Sequence, residues 1–449
     1  MTRFLLLMVI CTHTLNAQSD SVTDSPYVQN EIIHLAEIES FYNKLRALQQ
    51  KQPSKINIVH IGDSHIQADL MTNATRKQLQ NVLGNGGRGF VFPHSLAKTN
   101  GSSDVRFTSN ISWESQRNIY PAGSMAVGLS GIGLETDRSD FAIEMKLTDS
   151  LRFNTIRLIM PENNGNFSVA VEKHKTSIQS EIPKNISHRI KKGDALSSIA
   201  VRYNVSVKEI KLANNLKSDA IRAGKMLKIP TSGKAKTIDS FQYIPLSMRT
   251  DSISHYYYSE LPLNRIALVP SGSKPFNLNG IVLENDENGI VYHNIGVNGA
   301  KFSDFNKYPL FFDQLKSLTP DLMIVSLGTN ESFDKLDAAT FKNELQQFVQ
   351  NIRSRYPNID ILVITPPPSL FNRRSENAFV KEYAEAILSA GPSNFAVYDL
   401  YSILGGHGGI SANIKQGLLG SDRVHYTKDG YIAQGNLLAD AIMKSLPNN

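Results

Sequence analysis

Ile56-Asn57-Ile58-Val59-His60-Ile61-Gly62-Asp63-Ser64-His65 is the stretch on which the fold turns. Its first six residues form a largely β-branched apolar run, the pattern of a buried strand. Glycine, aspartate and serine end the run, and Gln67 to Leu83 reads as a helix closed by Gly84. A strand that hands a serine to a turn before a helix opens a βα unit. Open α/β sheets build their sites at that carboxyl edge. Taken alone, Ser64 reads equally well as a helix N-cap.

The rhythm resumes far downstream. Ile290 to Ile295, Leu322 to Leu327, Ile359 to Thr365 and Phe395 to Leu400 read as strands. Helical stretches at Phe341 to Tyr356, Lys381 to Ser389 and Asp429 to Leu446 separate or follow the later ones. Strands alternating with helices predict a doubly wound parallel sheet. Between its halves, over 101–289, short alternating runs such as Phe141 to Leu147 and Ser168 to Glu172 predict an antiparallel β-sandwich-like insert. The expected organisation is one α/β domain over 30–100 and 290–449, split by that insert. The glycine-rich stretch Gly84 to Gly89 follows a helix and lacks the Lys-Ser/Thr ending of a phosphate cradle, so it reads as a loop.

The chain has 449 residues, 41% hydrophobic and 20% charged, a globular composition. Arg3, the apolar run Phe4 to Ile10 and the small Ala17 predict an export leader over 1–17, too short for a stable membrane span. The protein is therefore expected in the periplasm or cell envelope, or secreted. Cys11 is the only cysteine and lies within that leader, so the mature chain has neither a thiolate nucleophile nor a cysteine zinc site. Segment 188–230 holds ten basic residues against three acidic ones, although the whole chain carries only +6. The excess is confined to one small module, which argues against a nucleic-acid-binding body.

Asp422-Arg423-Val424-His425 precedes the last helix, and two more segments, Asn298-Gly299-Ala300 and Gly328-Thr329-Asn330-Glu331, follow expected strands. A serine needs a base to become a nucleophile. His425 would take its proton, and Asp422 would hold the imidazole in the right tautomer. A glycine N–H or an Asn amide can donate to developing negative charge. His60, His65, His94 and His293 lack a matching carboxylate pair and read as core or supporting residues, so no metal and no cofactor is expected.

In this order the four segments resemble the SGNH (GDSL-type) hydrolases, with their flavodoxin-like sheet. The resemblance implies a catalytic triad of Ser64, Asp422 and His425. It also implies an oxyanion hole from the Ser64 and Gly299 N–H groups and the Asn330 side chain. His65 stands where Leu or Ser is commoner. The extended stretch Gly62 to Asp69 and the β-rich insert look like the subgroup that includes peptidoglycan O-acetylesterases.

Segment 188–230 resembles a LysM domain, a βααβ unit. His188 to Ala200 carries the opening strand, the Gly193-Asp194 turn and the first helix, and Leu227 to Pro230 closes it. Ala195 replaces the usual Thr. The resemblance implies binding to peptidoglycan or another N-acetylglucosamine-containing glycan through Gly193, Asp194, Ala195, Leu196, Asn215 and Leu216. The function expected is an exported serine esterase that removes O-acetyl groups from such a glycan. The alternatives are an esterase of another polysaccharide such as xylan, an O-acetyltransferase, and a non-catalytic wall-binding protein.

Overall fold

The computed structural model describes residues 28–446 apart from 163–164, 181–184, 204, 231–235, 252–254 and 393. The expected leader, with Cys11, lies outside the described residues.

Six parallel strands form the central sheet, in the order Asn85–Gly87, Gly289–Gly296, Lys55–Gly62, Leu322–Ser326, Asp360–Ile364, Ala396–Tyr398. Leaving aside the short Asn85–Gly87 edge, the order in chain terms is 2-1-3-4-5. Its switch point lies between Lys55–Gly62 and Leu322–Ser326, where such sheets open a crevice. Alternate residues of Lys55–Gly62 feed opposite cores. Ile56 and Ile58 pack with helices Glu39–Gln49, Leu70–Leu83 and Lys428–Lys444, while Val59 and Ile61 pack toward Ala338–Arg353 and Ala378–Ala390. Coverage on both faces is why this run is apolar throughout rather than alternating.

Beside the site the sequence reading departs from the structure at the Asp69 turn and at the glycine-rich stretch. The helix expected over Gln67 to Leu83 is two helices, Ser64–Gln67 and Leu70–Leu83. Asp69 breaks it in a left-handed conformation (φ 57°), so its carboxylate turns inward onto Arg76 and Arg88. The supposed loop Gly84 to Gly89 is mostly strand. Asn85–Gly87 edges the parallel sheet, and Gly89–Val91 pairs antiparallel with Gly280–Glu284 of the insert. Glycines carry no side-chain pattern, so periodicity had nothing to register there.

The insert is a set of antiparallel sheets. One runs Lys236–Pro245, Phe167–Ser180, Arg265–Pro270, Ile143–Leu147, Val105–Ser109, and a second runs Met248–Thr250, His255–Leu263, Phe153–Ile159, Gly280–Glu284, Gly89–Val91. A three-stranded sheet, Phe276–Leu278, Ile132–Thr136 and Glu114–Arg117, completes it. The insert does not hang free of the α/β body. Leu129, Ile132 and Phe276 belong to the same continuous core as Val297, Phe305, Phe311 and Val325. The paired strands Phe167–Ser180 and Lys236–Pro245 lead out to the small basic module. There Asn185–Arg189 and Met226–Pro230 pair antiparallel around helices Leu196–Tyr203 and Val207–Ala213, with a core of Ile190, Leu196, Ile199, Ile210, Leu227 and Ile229.

Candidate active site

Lys55–Gly62 ends at Gly62, where a Cβ would fall 2.4 Å from Ile66 Cγ1 and 2.8 Å from Ser326 O. Glycine there lets the chain fold tightly into helix Ser64–Gln67. Asp63 caps that helix, with Oδ1 accepting the His65 N–H at 2.9 Å. Ser64 is thereby placed at the first helical position, where a backbone N–H has no intrahelical partner.

The other end of the chain reaches the same point. Ser64 Oγ lies 2.9 Å from His425 Nε2, and His425 Nδ1 lies 2.8 Å from Asp422 Oδ2. Asp422 Oδ1 accepts the backbone N–H groups of Val424 and His425, both at 3.0 Å. These bonds hold the Asp422 carboxyl below the usual carboxylate range against the opposing effect of its partial burial. The loop is tied on both sides: Leu370 N donates to Arg423 O at 2.8 Å, and Gly420 N to His425 O at 2.7 Å. The side chains of His425 and Asp422 are 44% and 46% exposed, so the chain of three opens onto the surface rather than into a tunnel.

Gly299 lies beyond strand Gly289–Gly296 with φ +85°, a conformation that favours glycine, and its N–H has no protein acceptor among the described residues. Gln67, three residues after Ser64, seats this loop. Its Oε1 accepts Asn298 N at 2.6 Å, and its Nε2 donates to Asn100 O at 2.6 Å. Asn330 opens the helix after strand Leu322–Ser326, and its Nδ2 donates to Ala300 O at 2.9 Å and, more weakly, to Asp63 Oδ2 at 3.4 Å. Asn330 is thus joined to the Gly299 loop on one side and to the Ser64 turn on the other.

Two buried carboxyls underlie this cluster. Burial pushes Asp63 up to about 7, against the hydrogen bond from His65 N and the nearby His425. Burial pushes Glu331 up to about 8, against the 2.8 Å bond it accepts from Phe302 N. Glu331 Oε2 has no partner among the described residues, so a charge there would be uncompensated. A neutral Glu331 keeps negative charge away from a place where an anion would form.

The four histidines divide as follows. His65 Nδ1 meets Tyr431 Oη at 2.9 Å, and its ring lies 5.2 Å from that of His425, tilted by 31°. Burial first, then the neighbouring His425, lowers His65 to about 3, so it backs His425 as a neutral ring. His60 sits 2.7 Å from both Tyr292 Oη and Ser326 Oγ. His293 accepts from Phe90 N and meets Asn57 Oδ1, each at 3.1 Å. His94 packs edge-on to Phe92.

In the basic module Asp194 is spoken for. Its Oδ2 accepts from Lys191 N at 2.8 Å and lies 3.0 Å from His188 Nε2. Gly193 has φ +93°, and Asn215 is exposed with φ 53°. Ala195 has no hydroxyl, and Ser198 Oγ bonds both its N–H and its carbonyl instead. Leu196 is 2% exposed inside the module's core and Leu216 packs against that core, so these side chains face inward.

Beyond Ser64, Gly299, Asn330, Asp422 and His425, the residues that brace this cluster drew no attention in the sequence as site residues. Asp63, Gln67, Glu331 and Tyr431 are ordinary residue types. The available signal was position, since Asp63 and Gln67 flank Ser64 and Glu331 follows Asn330.

The site thus sets Ser64, His425 and Asp422 in one hydrogen-bonded chain at the switch point of a parallel sheet. The profile of the GDSL-like lipase/acylhydrolase family matches residues 251–433, a span with Gly299, Asn330, Asp422 and His425 but not Ser64, and the LysM profile matches 188–230. The chain carries a GDSL-type acylhydrolase domain together with a LysM domain. A solved structure of a peptidoglycan O-acetylesterase superposes with a TM-score of 0.60 at 20% identity, covering 91% of this chain and 96% of that one; it shares the fold. The lipase/acylhydrolase from Enterococcus faecalis overlays at 24% identity with a TM-score of 0.30, covering 36% of this chain and 80% of that one. A Bos taurus LysM- and peptidoglycan-binding-domain-containing protein is 37% identical over 78 residues, 16% of this chain. The chain spans 36% of that relative's length. No described helix is long and apolar enough to cross a membrane.

Proposed function

We propose that this protein is an exported serine esterase that removes O-acetyl groups from peptidoglycan or a related cell-wall glycan. The observation that carries the reading is the 2.9 Å contact of Ser64 Oγ with His425 Nε2, backed by Asp422. His425 accepts the Ser64 proton as Oγ attacks the ester carbonyl. Asp422 holds Nδ1–H and stabilises the imidazolium that results. The carbonyl oxygen becomes an oxyanion facing the Ser64 and Gly299 N–H groups and the Asn330 amide. Collapse breaks the bond to the sugar oxygen, which takes the proton from His425 and leaves as the free hydroxyl. The acetyl group remains on Ser64 until His425 activates a water and acetate departs.

The LysM module, the exposure of the triad and the overall likeness to a peptidoglycan O-acetylesterase support a polymeric substrate. The export leader is carried by residues 1–17 of the sequence alone. The test is acetate release from O-acetylated peptidoglycan and release of 4-nitrophenol from its acetate ester. Turnover of both by the intact protein, with neither by Ser64→Ala, is the expected result. A folded protein that turns over neither would leave only a wall-binding role.

A further inference from the structure

One turn of the insert approaches Gly299. After strand Glu114–Arg117, the chain passes Asn118, Ile119 and Tyr120 before Pro121. Ile119 Cδ1 comes within 3.5 Å of where a Cβ on Gly299 would stand, so this turn is the nearest part of the insert to that residue. The turn is held in place: Asn118 N donates to Gly131 O at 2.9 Å, and Gln116 Nε2 reaches Pro121 O at 3.1 Å.

Both neighbours of Ile119 in this turn carry unspent recognition chemistry. Tyr120 is 48% exposed, in a protein whose large rings are mostly buried. The Arg117 guanidinium lies over its ring at 5.2 Å and donates to Tyr120 Oη at 2.7 Å. Arg117 makes no ion pair among the described residues, whereas the two arginines nearest Asp69 are fully engaged with carboxylates. Asn118 is 1% exposed, and neither its Oδ1 nor its Nδ2 has a partner. It lies at the seam between the insert and Val297, the residue that begins the Gly299 loop. A buried amide with both ends unpaired is costly unless something outside the chain completes it.

We propose that Arg117 and Tyr120 form an acidic-sugar subsite beside Gly299. The open face of the Tyr120 ring takes a pyranose face, and Arg117 takes a carboxylate carried by the same glycan. This inference rests on the esterase reading and narrows its substrate class from acetylated glycans in general to anionic ones. A half-buried guanidinium steered by an aromatic ring is well suited to a planar carboxylate, and its pull weakens as salt screens it.

The test compares KM and kcat for acetate release from O-acetylated peptidoglycan, which is anionic, and from acetylated xylan, which is neutral. Turnover of 4-nitrophenyl acetate is followed in parallel. The intact protein should favour the anionic polymer by about tenfold or more in kcat/KM, mainly through KM, and added salt should erode that preference. Arg117→Ala should abolish the preference, and Arg117→Lys, which keeps the charge, should restore part of it. Tyr120→Ala should raise KM for both polymers. If Arg117→Ala keeps the wild-type preference, the subsite is overturned while the esterase reading stands. If the intact protein hydrolyses neither polymer nor the small ester, the esterase reading fails and takes the subsite with it.

Discussion

Ser64 Oγ and His425 Nε2 stand 2.9 Å apart although they are 361 positions apart along the chain. Nothing local enforces that contact. It depends on the parallel pairing of Lys55–Gly62 with its two neighbours and on helix Lys428–Lys444 packing against Leu70–Leu83. His425→Ala should therefore leave the fold intact and lower kcat for 4-nitrophenyl acetate by at least about three orders of magnitude. Asp422→Asn should lower kcat comparably, because an amide has one acceptor oxygen and cannot accept both the His425 Nδ1–H and the two loop N–H groups. Steady-state kinetics beside circular dichroism checks both.

Asn330 gives a different signature. Its amide bridges Ala300 O and Asp63, so it belongs to both the loop and the turn that face Ser64. Asn330→Ala should lower kcat by about two to three orders of magnitude with KM little changed, the mark of a donor used only in the transition state. A rise in KM with unchanged kcat would assign Asn330 to ground-state binding instead.

The Asp69 network fastens the site turn to the beginning of the insert. Asp69 is wholly buried. Burial alone would raise its carboxyl, yet Arg76 and Arg88 hold it far below the usual range. Arg88 also grips Asp104 at 2.7 Å. Arg88→Met leaves a buried carboxylate with one of its two arginines and should cost about 3–5 kcal/mol in denaturant unfolding. Activity measured well below the new midpoint should fall less than stability does.

Buried titrating groups shape stability against pH. His60, His65 and His293 are lowered to about 3 and His94 to about 4, all chiefly by burial. Below their ordinary value of 6.5 the unfolded chain takes up protons that the folded chain refuses, so these four lose stability as pH falls. Asp63 and Glu331, raised to about 7 and about 8, act in the opposite sense: the folded chain keeps protons that the unfolded chain has released, and stability falls as pH rises toward those values. Four histidines outweigh two acids on the acid side. Melting temperature should therefore peak between about pH 6 and 8 and fall toward pH 5. His65→Leu should make the acid-side decline shallower. A scanning-fluorimetry series across pH checks both.

The LysM module leaves and re-enters the insert through neighbouring strands, since Asn185 pairs with Pro230. Its core is self-contained. Deleting 185–230 and joining the ends with a short linker should leave 4-nitrophenyl acetate turnover within about twofold, while retention on insoluble peptidoglycan drops severalfold. Undiminished retention would place glycan binding elsewhere in the chain.

The strands that carry the site were legible because burial on both faces leaves continuous apolar runs, as at Ile56 to Ile61 and Leu322 to Leu327. The small module was legible through its turn and helical faces. The break at Asp69 was not, because a left-handed aspartate is stabilised by Arg76 and Arg88, one of them in a segment read as a loop. The strand at Asn85–Gly87 was invisible because two of its three residues are glycines, and Gly89–Val91 offers only Phe90 and Val91, too short a run to show a period. Helix Glu39–Gln49 went unread, though Phe41, Tyr42, Leu45 and Leu48 mark its buried face. Asp63 and Glu331 could not be singled out, since their raised values come from burial that only the assembled sheet produces.

The most direct test of the account is to quench the reaction with an activated acetyl ester in acid and locate the acetyl group by peptide mass spectrometry. The account predicts acetyl on the peptide holding Ser64, accumulating in the first turnover and absent from Ser64→Ala. Acetyl on no residue or on another one, with full turnover in Ser64→Ala, would contradict it.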